Sequence, residues 1–386
     1  MAAGYPSRRF PWREGNHFRL LVDGGEIFPA MLAAIESAQS QILLEMYLVE
    51  SGSLSDYFLQ AFCAAARRGV AVYLLLDDFG ARGLRQADRR LLLSAGVQLS
   101  FYNPLRYGEL RRNLLRDHRK VLVVDDQQAF VSGLGLTDEF DPQARPKSYW
   151  HEVAVHVVGP CVRDWDEAFR RNWQTSAPPQ AALPQAPRLQ ADLPPAEQAG
   201  RVASGRYFGA VEIHRAFVKR VRGAERQVWM MTAYFVPSRR LRRALRQAAG
   251  RGVDVRLLLP GPITDHPAIR YAGRRFYTRL LRAGVRIFEY QPRFLHAKVL
   301  LCDGWVSLGS SNVDRWNMRW NLEGNQEVED SDFATEVQML FEGDFLQSEE
   351  CRLPVWQKRP WYWRLREWFW GYVDRLLDWY SQRPRR

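Results

Sequence analysis

Two phrases recur along the chain in the same order, and each marks a helix giving way to a strand. Arg68-Gly69-Val70-Ala71-Val72 is matched by Arg251-Gly252-Val253-Asp254-Val255, and Ala95-Gly96-Val97 by Ala283-Gly284-Val285. Glycine just past a last helical turn takes up the left-handed backbone that closes a helix, and the β-branched residue after it starts a strand. The flanks repeat as well. The first half reads as helix 31–38, strand 42–49, helix 54–68, strand 71–76, helix 85–95 and a strand at 97–102. The second reads as helix 213–222, strand 228–235, helix 240–250, strand 255–259, helix 276–283 and strand 286–290. Such alternation predicts α/β layering, with helices covering a parallel or mixed sheet. A self-similar period of this length is a duplicated domain rather than a solenoid.

Each half then carries His-x-Lys-x4-Asp: His118, Lys120 and Asp125, and again His296, Lys298 and Asp303. Both are followed by apolar strands, 120–124 and 297–302. Side chains alternate along a strand, so His and Lys two apart share a face. A neutral imidazole is a nucleophile or proton carrier near neutral pH. A lysine ammonium beside it is a point charge suited to phosphate. One copy alone is weak. Two copies at equivalent places in a duplication predict two histidines facing one phosphorus.

The second copy continues into Gly309-Ser310-Ser311-Asn312 and Asn321-Leu322-Glu323-Gly324-Asn325. Small residues such as Ser310 let a phosphate approach backbone N–H groups, and Asn312 adds an amide donor. Glu323 is expected to accept the distal N–H of His296 and fix its tautomer, as the third member of a triad does. Glu152, ahead of strand 153–158, holds the corresponding place in the first half. The plainer alternative for both glutamates is a solvated ion pair.

At 386 residues and 46% hydrophobic, the chain can bury a large core without disulfides. Cys63, Cys161, Cys302 and Cys351 are scattered without a Cys-x-x-Cys pair, which predicts free thiols in a reducing compartment and no structural zinc. The net charge of +12, carried mostly by arginine, suits polyanions: nucleic acid, phosphorylated substrates or anionic membranes. The N-terminus has no signal-peptide pattern, and no run reaches the roughly 18 apolar residues of a membrane span. The expected divisions are a first half over 1–175, a Pro-rich linker over 176–204, a second half over 205–350, and a tail over 351–386. Prolines 178, 179, 184, 187, 194 and 195 predict an extended linker without regular structure. The tail holds six of the 14 tryptophans: Trp356, Trp361, Trp363, Trp368, Trp370 and Trp379. Trp361, Leu365, Trp368, Tyr372, Leu376 and Trp379 follow helical spacing on one face, among arginines. That describes an amphipathic helix at an anionic lipid surface, with Trp361, Trp363, Trp368, Trp370 and Trp379 as anchors. The alternatives are a helix docked on the protein's own core or at a dimer contact.

The paired motifs, with Gly-Ser-Ser-Asn and Asn-Leu-Glu-Gly-Asn after the second, resemble the phospholipase D superfamily. Leu76-Asp77-Asp78-Phe79-Gly80, Thr232-Ala233-Tyr234-Phe235-Val236-Pro237 and Arg19-Leu20-Leu21-Val22-Asp23-Gly24 resemble its cardiolipin synthase branch, in particular bacterial members without N-terminal transmembrane helices. The likeness spans about residues 17–350. It implies two α/β/α halves around a pseudo-twofold, with both motifs in one cleft and the amphipathic helix following. It implies a phosphatidyltransferase that passes phosphatidyl from phosphatidylglycerol, through a phosphohistidine, to a lipid glycerol hydroxyl. No metal or other cofactor is implied. One histidine would attack phosphorus, by family precedent that of the first half, and the other would serve the alcohols as acid and base. Lys120, Lys298 and Asn312 would hold the nonbridging oxygens; Asp125 and Asp303 would brace the site. The implied partners are anionic phospholipids, phosphatidylglycerol and cardiolipin, at the cytoplasmic face of a bacterial membrane, and not nucleic acid. Other readings are a hydrolase releasing phosphatidic acid, a nuclease of the same superfamily, and a non-catalytic lipid- or polyanion-binding module. One departure stands out: Gly135 occupies the place in Ser132-Gly133-Leu134-Gly135 where the family usually has Asn. The turn from Asp303 to Gly309 is also one residue short.

Overall fold

A computed structural model describes residues 9–109, 111–178, 183, 197–205, 212–314 and 320–382; within the last of these, the side chains of 374, 375 and 377–382 lie outside the description. The first half runs β1 (Arg13–Val22), α1 (Asp23–Ser37), β2 (Gln41–Met46), α2 (Ser53–Arg67), β3 (Ala71–Asp77), α3 (Gln86–Ser94), β4 (Gln98–Tyr102), β5 (Arg116–Asp117), β6 (Val121–Val124), β7 (Gln128–Ser132), β8 (Val153–Val158) and α4 (Cys161–Ser176). The second runs β9 (Gln198–Gly205), α5 (Glu212–Gly223), β10 (Gln227–Met231), β11 (Phe235–Val236), α6 (Arg239–Gly250), β12 (Asp254–Pro260), α7 (Pro267–Arg274), α8 (Tyr277–Leu281), β13 (Arg286–Tyr290), β14 (Val299–Cys302), β15 (Trp305–Gly309), β16 (Val313–Asp314), β17 (Asn321–Glu329), α9 (Ser331–Leu346) and β18 (Ser348–Glu350). A short helix, Leu353–Gln357, and the C-terminal helix, Trp361–Gln382, follow.

One continuous sheet runs through both halves, in the order β18-β13-β12-β10-β14-β15-β17-β9-β1-β8-β7-β6-β2-β3-β4. Outward from the β9–β1 seam, the two arms match strand for strand. β8, β7, β6, β2, β3 and β4 correspond to β17, β15, β14, β10, β12 and β13. The sheet therefore carries the pseudo-twofold of a duplicated α/β fold. In each arm the three matched strands farthest from the seam are parallel and the inner ones antiparallel, with β18 added antiparallel at the edge of the second. The repeated helix ends are set by glycine: Gly69 and Gly252 sit at φ +91° and +90°, where a Cβ would strain the backbone.

The core has three parts. One apolar cluster lies under α1 and α2 in the first half, and another under α5, α6 and α8 in the second. The third is shared. Trp165, Phe169 and Trp173 of α4 and Phe333, Val337 and Phe341 of α9 pack with inward strand residues from both arms. Burying aromatic faces from two helices against both arms makes the halves one folding body, since each such side chain contributes about 1.5–3 kcal/mol when removed from water.

Several expectations shift. Helix α1 begins at Asp23, eight residues before the apolar pattern suggested. Strand 228–235 is interrupted: β10 stops at Met231 and β11 pairs with β16 instead. The break leaves Thr232-Ala233-Tyr234 as a turn, held by Thr232 Oγ1, which donates to Tyr234 O (3.2 Å) and accepts from Val313 N (3.2 Å). Residues 198–204, placed in the linker by their composition, belong to strand β9, paired with both β1 and β17. Their small and polar side chains carry no apolar alternation, so only the neighbouring strands make a strand of them. Of the linker, 179–182 and 184–196 lie outside the described residues.

The C-terminal helix docks by one face along α7. Glu367 is buried there, paired with Arg359 (2.5 Å) and Arg274 (3.6 Å), and Trp363 lies against Tyr271 (6.0 Å between ring centres). Arg275 donates to Gly371 O, an approach that a side chain at 371 would block. Trp363 and Trp370 thus turn partly inward, while Trp361, Leu365, Trp368, Tyr372 and Leu376 form an exposed stripe. The side chain of Trp379 lies outside the described residues. The core-docked and the surface-facing readings of this helix each describe one of its faces. Among the described residues no helix is long and apolar enough to cross a membrane.

Candidate active site

The two motifs sit in the extended lead-ins to β6 and β14 rather than in those strands. Period-two alternation survives there. Lys120 Nζ folds back to donate to His118 O (2.8 Å), and Lys298 does the same to His296 O. The intervening Arg119 points the other way, into a buried pair with Glu45 (2.6 Å).

The orienting glutamates are exchanged between halves. His118 Nδ1 lies 3.0 Å from Glu323 Oε2, and His296 Nδ1 lies 2.6 Å from Glu152 Oε2. Sequence proximity predicted Glu323 for His296; the backbone decides otherwise. β5 pairs with the start of β17, and His118 N donates to Leu322 O (2.9 Å), so the next residue, Glu323, arrives at His118. Likewise His151 bridges to Leu295 and His296 N donates to His151 O (2.8 Å), which delivers Glu152 to His296. With Glu323 accepting from Nδ1–H, the lone pair of His118 is left on Nε2. At His296 the Lys298 amine also lies 2.7 Å from Nδ1 and 3.1 Å from Nε2.

Burial sets the charge states. It lowers the pKa of His118, with Lys120 and Lys298 adding to it and Glu323 opposing it. Burial and then Lys298 bring His296 down to about 4. Lys120 falls to about 7, chiefly through burial, and Lys298 is lowered for the same reason. Burial pushes Glu152 upward, but Lys298 (3.2 Å away) and His296 outweigh it and hold the carboxyl near 2. The cleft thus offers two neutral imidazoles and partly desolvated ammoniums whose full charge an incoming anion would favour.

The remaining expected residues divide by role. Asn312 is fully buried, and neither its Nδ2 nor its Oδ1 finds a partner among the described residues. Ser310 Oγ donates to Glu323 Oε2 (2.5 Å), so it braces the glutamate rather than standing open to phosphate. Its counterpart is Gly133, where a Cβ would lie 2.5 Å from Glu152 Oε2 and 2.9 Å from Lys298 Nζ. Gly135 has no room for the missing Asn, because a Cβ there would meet Leu48 Cβ and O at 2.9 Å. Asp125 and Asp303 lie at the far ends of their strands. Asp125 accepts from the backbone of Gln39, Ser40 and Gln41, and Asp303 from that of Glu225, Arg226 and Gln227, at 2.8–3.0 Å. They fix the loops that open β2 and β10, away from the histidines.

Aromatic neighbours were not anticipated. His296 sits among Trp150 (5.1 Å), Phe140 (5.3 Å), Phe294 (5.6 Å) and Tyr234 (6.5 Å). His118 has Tyr47 edge-on at 4.8 Å. Nor was His151, whose imidazole joins Asp23 of the first half (2.7 Å) to Asp344 of the second (3.1 Å). Trp150-His151-Glu152 is the one local signal that could have shown them, since the expected glutamate ends it.

Comparison with known proteins agrees with this geometry. A family model described as "Cardiolipin synthase, PLD-like domain" matches residues 31–173 and 217–345. The chain is 36% identical over 363 residues to cardiolipin synthase B of Salmonella typhi, covering 91% of this chain and 86% of that one. It is 35% identical over 347 residues to cardiolipin synthase A of Pseudomonas fluorescens, covering 89% and 71%. In fold it is similar to the phosphatidylserine synthase of Haemophilus influenzae Rd KW20, with a TM-score of 0.67 at 14% identity over 93% and 94% of the two chains. Two exchanged His–Glu pairs on a duplicated sheet, together with this degree of identity, show that the chain belongs to the cardiolipin synthase family of phospholipase D-superfamily phosphatidyltransferases.

Proposed function

We propose that the protein makes cardiolipin, moving phosphatidyl from phosphatidylglycerol to the glycerol hydroxyl of a second lipid through a histidine. The exchanged glutamates carry this reading, because they support two imidazoles, one from each half, beside Lys120 and Lys298. In the first step His118 Nε2 attacks phosphorus and the bond to the glycerol oxygen breaks. That oxygen takes the proton of His296 Nε2. His296 is neutral in the free cleft; a bound phosphodiester and the Glu152 carboxylate favour its protonated form. In the second step an acceptor hydroxyl gives its proton back to His296, its oxygen bonds phosphorus, and the N–P bond breaks. Lys120, Lys298 and Asn312 stabilise the charge on the nonbridging oxygens in both steps.

The substrate is then an anionic lipid, and the exposed stripe of the C-terminal helix fits it. Trp361, Trp368 and Tyr372 would lie at headgroup level, with Arg364 and Arg366 toward the phosphates. We place the protein as a peripheral one at the cytoplasmic face, where its free cysteines stay reduced. The test is incubation with labelled phosphatidylglycerol vesicles without added metal. Cardiolipin and free glycerol are expected. Phosphatidic acid alone would make the enzyme a hydrolase, and no lipid turnover with cleavage of DNA would overturn the lipid reading.

A further inference from the structure

Besides Glu152, a second carboxylate acts on the second histidine, one that the transfer steps above do not use. Asp265 follows β12, and its charge reaches both His296 and Lys298. Tyr234, whose ring lies 6.5 Å from that of His296, donates its hydroxyl to Asp265 Oδ2. His266 Nε2 lies 3.7 Å from the same oxygen, and its ring is 5.6 Å from Tyr234. Asp265 remains part-exposed, at 21% of its side chain. The matching strand of the first half ends differently. There β3 ends at Asp77, which is fully buried and committed to Arg116 and to the backbone of Phe79, Gly80 and Asp117. Tyr47, the tyrosine beside His118, faces Lys120 across its ring at 5.2 Å.

We propose that Tyr234, Asp265 and His266 form a subsite for a vicinal polyol, the glycerol headgroup, in the alcohol position next to His296. This rests on the transferase reading above and adds the residues that recognise the alcohol. A carboxylate that already accepts one hydroxyl keeps lone pairs for two more O–H donors. A 1,2-diol supplies two donors side by side, and its oxygens can accept from His266. An ammonium headgroup could donate to Asp265, but it would sit against Lys298 and could accept nothing. Leaving glycerol and incoming lipid glycerol use the same position in turn, so one subsite serves both steps. It also makes His296 the acid and base, because only the second half holds the alcohol.

Two measurements on the full-length protein test this. In transfer from labelled phosphatidylglycerol, wild type is expected to prefer glycerol over 1-propanol and ethanolamine as acceptors. Asp265→Asn is expected to lower the ratio of glycerol to 1-propanol transfer at least 10-fold, mainly through KM for glycerol. Equal loss with both alcohols, an unchanged ratio, or a wild-type preference for ethanolamine would overturn the subsite. Saturation-transfer NMR with glycerol reads binding without turnover. Contact signals are expected with wild type and not with Asp265→Asn. Absence of glycerol contact in wild type would sink the subsite, whereas contact without lipid turnover would sink the transferase reading and leave the subsite standing.

Discussion

Each motif imidazole takes its carboxylate from the other half, and on the proposed mechanism this exchange decides what a single substitution should do. Glu323→Gln and Glu152→Gln remove the charge that holds one tautomer and supports the imidazolium. By the behaviour of a triad carboxylate, kcat should fall by about 10²–10⁴. Wild-type kcat in either variant would show that the pairing is structural only. His118→Ala and His296→Ala should each remove nearly all turnover. The depressed Lys120, near 7, gives a second expectation. An anion in the cleft favours the ammonium, raises that pKa, and so draws a proton from solution at pH 7.5. Calorimetry of inorganic phosphate binding in buffers of different ionisation heat should therefore show net proton uptake. No dependence on buffer would contradict it. The histidines and lysines were legible in the sequence because both follow period two. Their glutamates were legible as residues but not as partners, since the pairing depends on strand register between distant segments. Gly135 shows the reverse case: the absent Asn was legible, and its cause, the backbone and side chain of Leu48, was not.

The C-terminal helix has a face for each of the two competing expectations. Its exposed stripe should govern membrane contact. Joint replacement of Trp361, Trp368 and Tyr372 by Ala should weaken binding to phosphatidylglycerol vesicles about tenfold or more in a sedimentation assay, with detergent-dispersed lipid still turned over. Unchanged sedimentation would remove the helix from the membrane reading. Its inner face should govern stability. Glu367→Ala would leave Arg359 without its buried carboxylate, while Arg274 keeps Glu289, a loss of about 3 kcal/mol in urea unfolding. The helical spacing was readable from the tryptophans, but not which of them turn inward, because α7 is the surface that selects them. Strand β9 escaped for a related reason. Its sequence, from Gln198 to Gly205, becomes a strand only between β1 and β17.

The duplication was plain in the repeated helix ends and motifs, and one sheet with matched arms embodies it. What holds the arms in register is less legible: the shared core around α4 and α9, and the His151 strut between Asp23 and Asp344. Burial alone would lower His151, but hydrogen bonds to the two aspartates raise it to about 9 from an ordinary 6.5. Arg293 and Tyr290 also face this strut. The charged form is favoured by folding, so its contribution is complete below pH 6.5 and disappears as pH rises through 9. Asp23 is lowered, with burial opposing and His151 and Arg293 prevailing, so its share is lost as pH falls below 3.8. The stability difference between wild type and His151→Gln should therefore be largest between about pH 4 and 6.5, on the order of 3 kcal/mol, and shrink toward pH 9. A difference independent of pH would mean that packing alone holds the position. The direct test of the asymmetric two-half site is to quench the enzyme during turnover of phosphatidylglycerol and locate the lipid phosphate by peptide mass spectrometry. The expected result is phosphatidyl on His118 and none on His296. A stable adduct on His296, or rapid turnover with no histidine adduct at all, would contradict it.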